Sequence, residues 1–290
     1  MSALLSRFEG GTSTICRAWV LTRTDGQVFG FTDHDVLLTV DGTVCAAASG
    51  MSAGALEGAT GLSVDNTEAV GALSHDGLTE ADMRAGRWDG ATVVAYLVDW
   101  RLPSAFEIVF RGTLGELTMA DGAFTAELRS LSEALNRVRG RLYQPRCDAV
   151  LGDGRCGVDL GDPAFHVEVE LTAVEAGRVL SLPALEGFSD GWFLRGRLTV
   201  LDGLAAGLVE QVKSDERVTG GRRVELWASL GAELRAGDRV RIEAGCDKRA
   251  ETCRERFANF LNFRGFPNIP GDDWLMAYPS SGRRNDGGRL

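Results

Sequence analysis

Four cysteines in the second half of the chain form two close pairs, Cys147 with Cys156 and Cys246 with Cys253, divided by a long strand-like stretch. Thiols gathered from two distant segments suit a metal ion, a metal–sulfur cluster or a pair of disulfides. Structural zinc takes four thiolates tetrahedrally, but its usual knuckles set two cysteines roughly two to four residues apart. Here eight residues separate the first pair and six the second, which is wide for zinc. An iron–sulfur cubane is larger than a bare ion and accepts wider loops. Disulfides would suit an exported product, yet Met1-Ser2-Ala3-Leu4-Leu5-Ser6-Arg7-Phe8-Glu9 has neither a basic leader nor a long apolar stretch. The cations Arg146, Arg155, Lys248, Arg249, Arg254 and Arg256 are matched by Asp148, Asp153, Asp159, Asp247, Glu251 and Glu255, so local charge does not choose. The residues alone leave zinc, iron–sulfur, and disulfide or unpaired-thiol readings open.

The other candidates for chemistry read more plainly. Cys16 lies in Thr14-Ile15-Cys16-Arg17-Ala18-Trp19-Val20 and Cys45 in Thr43-Val44-Cys45-Ala46-Ala47. Both have apolar neighbours and no mate at ligand spacing, so they read as small core residues. Asp33-His34-Asp35 has the residue types for metal or proton chemistry, but it follows Val28-Phe29-Gly30-Phe31 and precedes Val36-Leu37-Leu38, where a turn between strands is the simpler reading. His75 and His166 stand alone. No Gly-x-Ser-x-Gly, His-Glu-x-x-His or phosphate-loop pattern occurs, and the chain is read as a non-enzyme. Arg264, among Phe263, Phe266 and Pro267, is read as capping the last helix, with a partner contact as the alternative.

The elements that must carry the cysteines are strands. Asp-Gly, which supplies the positive φ angles of tight hairpins, occurs nine times. Runs 14–23, 91–100, 106–111 and 123–129 are rich in β-branched and aromatic residues, and apolar residues recur with a period near two between Leu114 and Leu128. A second set of strand-length runs covers 165–173, 178–182, 192–201, 206–214, 222–229 and 238–243, which suggests a small barrel or sandwich. The cysteine pairs flank this set, so closing it would bring them together. Helices are expected at Thr79–Arg84, at Ser130–Val138 as a hinge, and from Cys253 to Phe263, where Phe257, Phe260 and Leu261 share a packed face. The predicted fold class is mainly β: two antiparallel barrel- or sandwich-like domains, 1–140 and 141–278, then a flexible tail at 279–290.

Composition sets bounds. At 290 residues, 44% apolar and 25% charged, the chain has the balance of a globular protein, with no apolar run long enough to span a membrane. The absence of a leader predicts synthesis in the cytoplasm. A net charge of −10 disfavours a nucleic-acid-gripping surface, which needs clustered Lys and Arg.

A family resemblance rests on three stretches. Gln144-Pro145-Arg146-Cys147-Asp148 through Gly152-Asp153-Gly154-Arg155-Cys156-Gly157-Val158 resembles the first half of a signature of phage tail hub proteins. Gly245-Cys246-Asp247-Lys248-Arg249, Cys253, Phe257, Asn259, Asn262-Phe263-Arg264-Gly265-Phe266-Pro267 and Ile269-Pro270-Gly271 resemble the second. Cys16-Arg17-Ala18-Trp19, Asp25-Gly26 and Gly30-Phe31-Thr32-Asp33-His34-Asp35 resemble the same family's opening. The family is the baseplate hub of long-tailed phages, prophages and gene transfer agents, similar to the tail tip hub of lambda-like phages. The resemblance implies a virion structural protein, a homotrimer around a DNA channel through which DNA passes without specific binding. It implies neighbours among the distal tail protein, the tail fibre or central tip protein and a tail-associated peptidase, with no stable membrane insertion. It also implies an iron–sulfur cluster, 4Fe-4S in type, on Cys147, Cys156, Cys246 and Cys253, with zinc as the lesser alternative. A cytoplasmic iron–sulfur redox enzyme is the rival reading.

Overall fold

The computed structural model describes residues 14–47, 52–53, 66–72, 79–120, 123–130 and 140–269. The hinge helix expected at Ser130–Val138 and the tail at 279–290 lie outside the described residues, apart from Ser130, which ends a strand. The chain divides into two compact units. The first comprises Met1–Val138 together with Val200–Leu208 and Ser229–Arg235, and the second comprises the remainder.

The first unit contains β1 (Ile15–Thr22), β2 (Val28–Thr32), β3 (Leu38–Val40), β4 (Thr43–Ala46), β5 (Ser52–Ala53), β6 (Asn66–Ala72), helix α1 (Glu80–Arg84), β7 (Thr92–Asp99), β8 (Phe106–Ala120) and β9 (Ala123–Ser130). They form one nine-stranded sheet in the order β3-β4-β2-β1-β7-β8-β9-β6-β5. Its middle is apolar on both faces because successive side chains of a strand point opposite ways. On β1, Trp19 and Leu21 enter one core with Phe31, Met83, Trp88 and Val93, while Cys16, Ala18 and Val20 enter another with Leu38, Cys45, Tyr96 and Val98. Cys16 and Cys45 are therefore core residues, as their neighbours suggest, and burial pushes both thiols above their ordinary pKa, Cys45 to about 11.

Turn chemistry explains the register. Asp41 and Gly42 both take positive φ (48° and 78°) between the facing residues Val40 and Thr43, the geometry of a two-residue hairpin loop. One pairing is parallel, β2 with β4, and it sets Gly30 opposite Cys45. A Cβ on Gly30 would lie 2.4 Å from the Val44 carbonyl, so the close approach needs glycine. Thr79 caps α1 by accepting the Asp82 N–H at 3.1 Å, and Gly86 (φ 69°) lies just beyond the helix end. Asp33-His34-Asp35 forms the bend between β2 and β3, with the Asp33 carboxylate accepting the Arg17 N–H at 2.7 Å.

The second unit carries, but for Val200 at the end of β13, the elements β10 (His166–Glu170), β11 (Ala173–Glu175), β12 (Val179–Leu182), β13 (Arg197–Val200), β14 (Val209–Val218), β15 (Gly221–Leu226), β16 (Arg239–Glu243), helix α2 (Ala250–Glu255) and a 3₁₀ turn at Phe260–Asn262. The strand order is β10-β16-β13-β14-β15-β12-β11. The barrel expected from the strand spacing is not closed. The outer strands β10 and β11 are consecutive in sequence and follow one another rather than pairing side by side. Between them the Leu171 N–H reaches the Asp238 carbonyl and the Thr172 N–H the Ser181 carbonyl, both at 2.9 Å, so the chain leaves one neighbour for the other. β14 makes the matching switch at its irregularity between Val212 and Ser214, pairing with β13 before it and with β15 around and after it. The result is a curled, open sheet, mainly antiparallel, whose core includes Leu180, Leu182, Leu198, Val212, Val224, Leu226, Val240 and Ile242.

Candidate metal centre

The first cysteine loop is folded by Asp153. Its carboxylate accepts the backbone N–H groups of Cys156 (2.7 Å), Arg155 (2.9 Å) and Val150 (3.0 Å), and these bonds, that of Cys156 foremost, hold its pKa below the usual carboxylate range. Gly152 and Gly157 take positive φ on either side. The turn closes with the Gly157 N–H on the Asp153 carbonyl, and Ala149, Cys156 and Val158 are buried against Ala244 and Phe257.

The second loop leaves β16 through Ala244 and Gly245. Lys248, at φ 66°, turns its N–H onto the Cys246 sulfur at 3.4 Å while its carbonyl accepts the Cys147 N–H at 2.9 Å. One residue thereby links the two cysteine loops through the backbone, and its ammonium adds a bond to the Ala149 carbonyl. Helix α2 carries Cys253 on its buried face. The longer helix expected from Cys253 to Phe263 does not form. Ala258 takes φ 47°, and the Asn259 N–H folds back to the Cys253 carbonyl at 2.9 Å, which breaks the helix. Phe257 is buried as expected, but Leu261 is 98% exposed.

The segment after the turn returns to the first loop. The Arg264 N–H donates to the Cys147 sulfur at 3.4 Å, and its guanidinium reaches the Arg155 carbonyl at 3.4 Å. Arg264 thus ties the two cysteine segments together rather than capping the helix. Gly265 permits this contact, because a Cβ there would meet the Arg146 carbonyl carbon at 2.6 Å.

Cys147, Cys156, Cys246 and Cys253 together line one small cavity, walled by Ala149, Leu151, Val158, Phe257 and Phe263. Three of the sulfurs accept N–H groups: Cys147 from Arg264, Cys246 from Lys248, and Cys156 from the Asn259 side-chain amide at 3.6 Å. The fourth thiol, Cys253, donates to the Asn259 carbonyl at 3.4 Å. Burial pushes Cys253 up to about 11, with the nearby Cys246, Cys147 and Cys156 adding repulsion. Burial raises Cys246 as well, so these two neighbouring thiols would ionise together only with a cationic centre beside them. Among the described residues, no three His, Cys, Asp or Glu side chains are arranged to hold a single metal ion. The donor set, its burial and its N–H···S bonds are of the kind that would support a sulfur-ligated metal centre.

The four cysteines are readable from sequence, but the part played by Asn259 is not. It bonds the carbonyl and sulfur of Cys156 and both accepts from and donates to Cys253, and Asn262 in turn holds its amide at 2.7 Å. Replacing Asn259 by leucine is expected to lower metal affinity about 10- to 100-fold, the usual penalty for losing such a supporting group. Competition with a chelator checks this.

Comparison with known proteins gives three results. Residues 1–159 match the family described as baseplate hub protein, N-terminal attachment domain, and residues 191–273 match that of the phage conserved hypothetical protein BR0599. A solved structure described as the virion of a native gene transfer agent particle contains a chain 54% identical to this one, with a TM-score of 0.91 and complete coverage of both chains. No curated protein matches. No helix among the described residues is long and apolar enough to cross a membrane.

Proposed function

We propose, from the premise that this chain belongs to the baseplate hub family, that it is a structural subunit at the distal end of a phage-like tail, held in shape by an iron–sulfur centre. It is a virion component of the baseplate and not an enzyme. We further assign it a trimeric ring around the DNA channel, with residues 1–140 building the ring and 141–278 carrying the metal centre. Closed symmetry lets repeated contacts satisfy every subunit without open-ended growth. Its neighbours in this reading are the distal tail protein, a fibre or central tip protein and a tail-associated peptidase.

The single observation carrying the metal reading is the convergence of Cys147, Cys156, Cys246 and Cys253 on one cavity with N–H donors aimed at three of their sulfurs. When bound, a 4Fe-4S cluster supplies four iron–thiolate bonds. The protein's own contribution is positional. Lys248 and Arg264 fix the loops with backbone N–H groups, Asn259 orients Cys156 and Cys253, and Phe257 and Phe263 restrict water. All four thiols are used, so the arrangement serves as a staple between loops flanking the curled sheet, and ligand binding adds to folding free energy.

Anaerobically purified protein is expected to be brown and to contain roughly four irons per chain. Colourless, folded protein carrying one zinc would overturn the iron assignment and leave the hub assignment standing. A reversible reduction coupled to a substrate, in protein absent from particles, would favour the redox enzyme instead.

A further inference from the structure

A second cleft in the same unit has four arginines among its lining residues, Arg146, Arg195, Arg249 and Arg256, against one acidic residue, Asp247. Two are already engaged. Arg256 donates to the Trp192 and Gly245 carbonyls (3.4 and 3.1 Å) and lies 4.7 Å from the centre of the Trp192 ring, while Arg249 is 3.8 Å from Asp247. The guanidinium groups of Arg146 and Arg195 make no hydrogen bond or ion pair among the described residues. Arg195 also holds φ 65°, a conformation that costs a non-glycine residue on the order of 1 kcal/mol, fixed by its N–H on the Val212 carbonyl at 2.9 Å. A positive hollow of this kind stands out on a chain whose net charge is −10.

We propose that this cleft receives a carboxylate side chain, Asp or Glu, presented by a neighbouring protein subunit of the assembled particle. Two free guanidinium forks match carboxylate geometry bidentately. Nucleic acid fits less well. Phosphodiester chains need an extended cationic track, whereas this is a single bounded cleft on an acidic protein that repels a polyanion. Within a particle, the face must either stay wet or meet anions, because unpaired guanidinium groups are costly to desolvate. The inference depends on the chain being built into a particle and not on the metal centre, so a colourless protein would leave it intact.

The test uses the full chain assembled into particles. Arg146→Glu and Arg195→Glu are each expected to reduce incorporation at least tenfold with unchanged melting and visible absorption, whereas Arg195→Lys retains most of it. Wild-type incorporation by both reversed variants would overturn the proposal. Should either variant misfold, a photoreactive residue in place of the rim residue Leu194 in otherwise wild-type particles gives an independent answer. A cross-link to a segment of a neighbouring subunit carrying Asp or Glu supports the proposal, and a cross-link to a neutral segment or to none overturns it. Single-stranded oligonucleotide bound by the wild type and released by Arg195→Glu would assign the cleft to phosphate and also overturn it.

Discussion

Cys253→Ala is expected to abolish the visible absorption and to lower the melting temperature of the second unit by on the order of 10 °C or more. The size follows from the linkage between ligation and folding: the unfolded chain holds no preformed site, so the free energy of binding stabilises only the folded state. Loss of even a few kcal/mol moves the midpoint of a unit this size by roughly 2–4 °C per kcal/mol. Cys147, Cys156 and Cys246 should behave alike, because each supplies one corner of the same cavity. Cys45→Ala is the control. It removes a fully buried thiol from the other unit and should leave iron content unchanged. Calorimetry with iron analysis of the four site variants and this control checks the expectation. Full iron content in any site variant would remove that cysteine from the ligand set.

The second large effect concerns the core of the curled sheet. Asp215 on β14 and Arg222 on β15 are fully buried and joined by two bonds, one from the Arg222 Nε and one from its Nη2 at 2.8 Å. The same guanidinium donates to the Phe188 and Ser189 carbonyls (3.2 and 2.5 Å) and stacks 4.8 Å from the Phe193 ring centre, while Asp215 accepts the Phe193 N–H at 2.8 Å. Every charge is matched, so removing one partner strands the other out of water. Arg222→Ala is therefore expected to cost about 3–5 kcal/mol, and Asp215→Ala a comparable amount. The double variant Asp215→Leu/Arg222→Met should recover part of that loss by restoring volume without charge. Recovery stays partial because the Phe188 and Ser189 carbonyls lose their donor. Guanidinium unfolding of the three variants decides it. Destabilisation below about 1 kcal/mol for both single changes would mean that water replaces the lost partner.

The middle of each sheet is legible in the sequence, and the edges are obscure. β1 and β7 lie within the runs 14–23 and 91–100, because strands buried on both faces must be dense in apolar, β-branched and aromatic residues. β3, β4 and β5 are short, and β6, though seven residues long, carries no such density. The parallel pairing of β2 with β4 depends on the clearance at Gly30, which is a property of the assembled sheet. Closure of the second sheet does not follow from its strand spacing, which says nothing about the exchange of neighbours at Leu171 and Thr172. Around the cysteines, residue type and position point to the ligands, while their support does not show. The positive φ of Ala258 and Lys248 has no marker in residue type, and Asn259 gains its role only once α2 stops early.

Asn259 binds groups on Cys156 across 103 residues of chain. During synthesis the first two thiols therefore emerge well before anything that can complete their site. At about 5–20 residues per second, the delay is roughly 5–20 s. Throughout that interval Cys147 and Cys156 lack the N–H groups that meet their sulfurs in the folded chain, so a disulfide formed between them would have to be undone before the two loops could meet as they do here.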